Sequence, residues 1–140
     1  MFMTLQLIRI LSDFGLVVLI WMVQLIIYPS FARYKNKDLL PWHRTYTKRL
    51  SAIVIPLMFT QIFAVAYQLY KSQEMYTCAS AVLVVLVWIL TFTQFVPLHN
   101  NISKDYKVAY SVQKLIQRNW MRTALWTVLF LVSLWHIIRD

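Results

Sequence analysis

Residues 75–98 read MYTCASAVLVVLVWILTFTQFVPL, without one charged side chain. A helix rises about 1.5 Å per residue, and a hydrocarbon core about 30 Å thick takes roughly 20 residues to cross. This stretch is long enough, and far too long for an ordinary strand. Residues 14–32 and 50–70 are comparable runs. Residues 123–138 form a fourth, which reaches spanning length if its helix extends back through 119–122. The expected fold is all-α, an integral membrane antiparallel four-helix bundle in a single domain, 1–140. Its spans lie near 5–28, 50–70, 75–98 and 119–138.

Composition agrees. The chain is 60% hydrophobic and contains one glycine, Gly15. A soluble domain of 140 residues leaves too much surface outside to hide that much apolar area. The formal net charge of +9 suggests nucleic acid until its placement is considered. Arg33, Lys35, Lys37, Arg44, Lys48 and Arg49 cluster after the first run, and Lys104, Lys107, Lys114, Arg118 and Arg122 after the third. The connection between the second and third runs holds only Lys71, beside Glu74. Alternating basic connections are the positive-inside pattern of a multi-pass protein. It predicts two cytoplasmic basic connections in contact with anionic lipid, with both termini outside. Nucleic acid is not an expected partner, whereas an oligomeric or protein partner stays open. The expected location is the cell membrane, the inner one in a bacterium.

Cys78 is the sole cysteine, so no intrachain disulfide can form, and a buried, inert thiol is expected. The first run lacks a small-x-small exit and reads as a retained span rather than a cleaved signal. Pro29 and Pro97 are expected to end the first and third helices. Asp38 is expected to cap a long second helix, and Pro56 to bend it. Val108, Val112 and Leu115 stand at helical spacing, so the fourth helix should begin near Asp105, well before the membrane.

The polar residues gather at the end predicted to be cytoplasmic: Gln24 and Tyr28, then His43, Tyr46 and Arg49, then Gln94, His99 and Asn100, then Asn119, Trp120, Arg122 and Trp126. Antiparallel helices bring these ends together around one polar pocket. Each residue also has a plainer reading. Arg49 and Arg122 near span ends serve as snorkelling anchors. Tyr28, Tyr46 and Trp120 suit an interfacial aromatic belt. Gln24, Gln61 and Gln94 suit bonds between helices. Asp13 lies two or three turns into the first helix, where an acid is costly unless paired, and His136 and Arg139 are its expected partners. Ligand count speaks against a closed zinc site. A haem b held between His43 and His99 is an alternative to the expectation of no cofactor.

Val96-Pro97-Leu98-His99-Asn100-Asn101-Ile102 and Asn119-Trp120-Met121-Arg122-Thr123 complete the picture. Together with Tyr28-Pro29-Ser30-Phe31, these segments resemble the anthrone-oxygenase-like family of small four-span membrane proteins. The chain departs from the family pattern in placing His99 between Leu98 and Asn100. The resemblance implies oxidation of a polycyclic phenolic anthrone to a quinone without metal or flavin, with Asn100 and Arg122 as matched positions. Such chemistry needs a base for the substrate, for which His99 or His43 is suited. It also needs a cation for the oxyanion, here Arg122, and flat walls such as Trp120 and Trp126. Tyr28, Tyr46, Arg49, Gln94 and Asn119 would complete the substrate site. The leading expectation is a membrane protein of unassigned activity with a cytoplasm-facing pocket, as an oxygenase or oxidoreductase acting on a flat hydrophobic phenol. A non-catalytic membrane subunit or scaffold, and a haem or quinone carrier, compete with it.

Overall fold

The computed structural model describes residues 2–139, and these form an all-helical chain. Four helices are long and apolar enough to cross a membrane: α1 (Met3–Phe31), α2 (Asn36–Lys71), α3 (Met75–Ser103) and α4 (Val108–Arg139). In their most apolar windows only 39, 22, 22 and 28% of residues are buried inside the chain. The remainder turns Leu, Ile, Val and Phe outward, the arrangement of a multi-pass membrane protein. α2 has 36 residues and α4 has 32. At about 1.5 Å per residue both exceed a 30 Å core by several turns. Val108, Val112 and Leu115 are buried together with Leu98 and Ile102, which accounts for the early start of α4.

Neither Pro29 nor Pro97 ends its helix. α1 continues to Phe31 and α3 to Ser103. In each case a five-residue π turn comes just before the proline, Val23–Ile27 in α1 and Thr91–Phe95 in α3. The Tyr28 N–H reaches back to the Val23 carbonyl, and the Val96 N–H to the Thr91 carbonyl. A proline ring in a regular helix collides with the carbonyl four residues earlier. Widening the preceding turn by one residue moves that carbonyl aside, so the helix continues with a changed phase. Asp38 also differs from expectation. α2 is N-capped by Lys35 without a side-chain bond, and Asp38 lies in the first turn, where its charge favours the helix N-terminus. Between α2 and α3, Glu74 and Thr77 form a capping box. Cys78 is exposed rather than buried.

Gly15 brings α1 and α2 together: a Cβ there would stand 3.2 Å from Leu57 Cδ1. Close approach through a small residue is a common route to packing between membrane helices. Leu16, Ile20, Met58, Val65, Val84, Val87, Trp126 and Leu129 form the adjoining core.

A polar lock occupies the end of the structure where α1 begins. Arg9 is 1% exposed and Asp13 is 0% exposed. Arg9 Nε stands 3.5 Å from Asp13 Oδ2, an ion-pair distance without hydrogen-bond alignment. Arg9 donates to Gln68 Oε1 at 2.6 Å and to Ser80 Oγ at 2.7 Å. Asp13 accepts from Gln61 Nε2 at 2.6 Å and from the Ser133 hydroxyl. The expected pairing of Asp13 with Arg139 and His136 therefore gives way to one with Arg9, a single turn away on its own helix. Arg139 lies over Trp135, and His136 stacks on Tyr76. Removing one member of a buried pair strands the other charge. Asp13→Leu should cost about 3 kcal/mol or more of stability. Adding Arg9→Leu should recover part of that loss, as thermal unfolding in detergent would reveal. A double variant as unstable as the sum of the single losses would show that the two charges do not act as a pair.

Candidate functional site

At the opposite end of the helices a second polar network begins on Arg122, 7% exposed. Its Nε and one NH2 group donate to Asn119 Oδ1 at 3.0 and 2.7 Å. The same nitrogen donates to Tyr28 Oη at 3.2 Å. The guanidinium carbon lies 3.5 Å from the centroid of the Phe95 ring and 5.8 Å from that of Trp126. Asn119 passes the network on to Gln24 at 3.0 Å, and Gln24 to the Ile116 carbonyl at 3.2 Å. Among the described residues Arg122 has no carboxylate partner; the ion pair that does form is Arg9–Asp13.

From Tyr28 a chain of bonds runs toward the ends of α2 and α3. Tyr28 Oη is 3.0 Å from His99 Nε2, His99 Nδ1 is 2.8 Å from His43 Nε2, and His43 Nδ1 is 3.4 Å from Ser103 Oγ. A guanidinium only donates, which gives the chain a direction. Tyr28 accepts from Arg122 and can donate to His99 Nε2. A neutral His99 then carries its proton on Nδ1 and donates to His43 Nε2. His43 in turn carries its proton on Nδ1, toward Ser103. These tautomers are assigned from the bonding direction.

The network forms the polar end of a cavity of about 380 Å³. Tyr28, Tyr46, His99, Asn100 and Arg122 stand in its wall, and most of the remaining lining is apolar. Trp126 lines it from α4. Ile55 and Phe59 on α2 and Phe92 and Val96 on α3 also line it, yet each is 40–58% exposed. The cavity therefore opens sideways between α2 and α3, through an apolar rim at the depth of the spans.

The sequence-predicted residues divide into three groups. Tyr28, Tyr46, His99, Asn100, Arg122 and Trp126 meet at the cavity. His43 and Asn119 are fully buried behind it, bonded to His99 and Arg122 respectively. Arg49, Trp120 and Gln94 are not in its wall. Arg49 is exposed, Gln94 is half-buried, and Trp120 is 49% exposed, packed edge-on against Trp21 at 5.9 Å. Trp120 and Trp126 cannot both be walls, because six residues of helix rotate one about 120° away from the other. Ser103 and Phe95 were absent from the expected site. Ser103 follows His99 by one turn, a spacing that offered a weak signal.

His43 and His99 do converge, but on each other. Their rings stack with centroids 5.0 Å apart and share a hydrogen bond. No group of three or more His, Cys, Asp or Glu residues suited to a metal occurs among the described residues. Comparison with protein-family models, curated proteins and solved structures finds no match to this chain.

The bonding direction makes a spectroscopic prediction. The chain has three histidines, so His136→Asn leaves only the pair in view. Side-chain ¹⁵N shifts in that variant should report both His43 and His99 protonated on Nδ1. Signals of the Nε2–H form on either ring would reverse the chain's direction.

Proposed function

We propose that this chain is a four-span antiparallel membrane protein that binds a flat, hydrophobic phenolic or enolic molecule and oxidises it with dioxygen. The observation that carries this reading is a buried cation without a counter-anion on the wall of a largely apolar cavity. A guanidinium in that setting is costly unless something negative joins it, and an ionised phenol or enol supplies the charge. A scaffold has no need for such an arrangement. The basic connections are read as cytoplasmic, the termini as outside, and the membrane as the cell membrane.

The bonding pattern suggests how the substrate proton leaves. Both nitrogens of His99 are engaged, so the group facing the substrate is the Tyr28 hydroxyl. Its oxygen has a second lone pair beyond the one used by Arg122. Tyr28 takes the proton from the acidic carbon of the substrate while passing its own to His99. His43 and Ser103 continue the path toward the helix ends. The charge left on the substrate spreads to its oxygen, beside Arg122. The resulting carbanion reduces dioxygen and forms a carbon–oxygen bond. For an anthrone, loss of water from the hydroperoxide gives the quinone, so one oxygen atom stays in the product and the other leaves as water. The sideways opening suits a substrate dissolved in the bilayer.

Oxygen uptake by the purified protein with 1,8-dihydroxyanthrone tests the reading. Tyr28→Phe and His99→Ala should each lower the rate by roughly 10²-fold or more. Arg122→Gln should fall at least as far. His43→Phe, which cuts the relay behind the site, should cost less than either of the first two. Uptake equal to that of empty detergent would remove the activity, and an unchanged rate in Tyr28→Phe would remove the relay.

A further inference from the structure

The two buried arginines are held from their own helices by different means. Asp13, one turn after Arg9, is an acid, whereas Asn119, one turn before Arg122, is an amide. Residues three or four apart share a helix face, so each partner is placed to reach its arginine. Asn119 Oδ1 takes two bonds from Arg122, at 3.0 and 2.7 Å. An amide oxygen carries only a partial charge, so these bonds fix the guanidinium without cancelling its charge. The sense of the amide is determined. A guanidinium only donates, so Oδ1 faces Arg122 and the Asn119 NH2 group faces Gln24. Gln24, in the π turn of α1, accepts there at 3.0 Å and donates to the Ile116 carbonyl at 3.2 Å. A carbonyl only accepts, so both ends of this chain have a fixed sense and neither amide can be reversed. Asn119 is buried behind the cavity and is not in its wall. Arg122 is in the wall, and its second NH2 group, Nη1, bonds to no described residue yet is not sealed off as Arg9 Nε is. The titratable side chains that line the cavity with it are Tyr28 from α1, Tyr46 from α2 and His99 from α3, with no acid among them.

We propose that Asn119, backed by Gln24, is the positioning residue that sets the charge of the ligand: it holds Arg122 through a neutral oxygen, which keeps the guanidinium charge for a monoanion in the cavity. The ligand class narrows to phenols and enols that ionise in place, with the negative oxygen against Arg122. An acid at position 119 would occupy the guanidinium as Asp13 occupies Arg9, and the cavity would then favour neutral molecules. Asn119 touches neither the ligand nor the reacting atoms and acts through Arg122. This inference rests on the reading of the cavity and Arg122 as the binding site, and it is independent of whether oxidation follows.

Ionisation of a bound phenol provides the test. 2-Hydroxyanthraquinone is flat, has no acidic carbon to oxidise and changes colour when its hydroxyl ionises. In nanodiscs of zwitterionic lipid it should ionise about one pH unit lower with wild-type protein than with empty nanodiscs, which is a tenfold preference for the anion. Asn119→Asp should abolish that shift. 2-Methoxyanthraquinone, which cannot ionise, should bind this variant and wild type alike, as an intact cavity requires. Gln24→Glu keeps an oxygen to accept from Asn119 and places a negative charge one side chain farther from Arg122. It should reduce the shift by less, so the test stands even if Asn119→Asp folds poorly. A full wild-type shift in the folded variants would overturn the role of Asn119 and leave Arg122 as the anion site. Wild-type protein that binds the methoxy compound without lowering the phenol's ionisation would overturn the inference and the anion site together. Binding of neither compound would remove the cavity as the site. Absence of oxygen uptake alongside an Asn119-dependent shift would remove the oxidation and leave this inference standing.

Discussion

Arg9 and Asp13 set the terms for the rest of the molecule. A charge in hydrocarbon is tolerated only when partners surround it, and no water is there to stand in for a missing one. The pair on α1 recruits Gln61 and Gln68 from α2, Ser80 from α3 and Ser133 from α4. Lipid tails give apolar helix faces no reason to prefer one another, so polar contacts of this kind help fix which faces turn inward. A bundle with any helix rotated out of phase would leave one of these groups unmatched in an apolar medium.

The contrast with Arg122 is instructive. Both arginines are buried, and both lie against aromatic rings, Tyr76 in one case and Phe95 in the other. Arg9 has its carboxylate, and its surroundings read as a completed structural unit. Arg122 has a phenol and an amide in place of an acid. Trp126 lies between the two networks. It packs near Arg122 and donates to Gln61, the residue that bonds Asp13. The locked end thus braces the aromatic wall of the cavity at the other.

The apolar runs and the basic connections made four helices legible from the sequence, because both signals depend on composition along the chain. The buried start of α4 was legible too, through the spacing of Val108, Val112 and Leu115. Facing was harder. Tyr28, His99 and Arg122 were foreseen as neighbours because their helix ends had to meet. Arg49 and Trp120 share the same depth, yet they face elsewhere. Depth follows from counting residues, whereas facing requires the phase of each helix. The π turns change that phase in α1 and α3, and an ideal 3.6-residue period does not contain them.

Each π turn is in effect a single surplus residue held inside a helix. Val23–Ile27 lies just before Tyr28, and Thr91–Phe95 lies just before His99. Taking one residue out of either turn would restore a regular helix and swing everything beyond it by about 100°. The Tyr28–His99 bond needs both insertions at once. Two one-residue length changes, each harmless to a membrane-spanning stretch, are therefore enough to make the difference between a plain bundle and one in which Tyr28 and His99 meet.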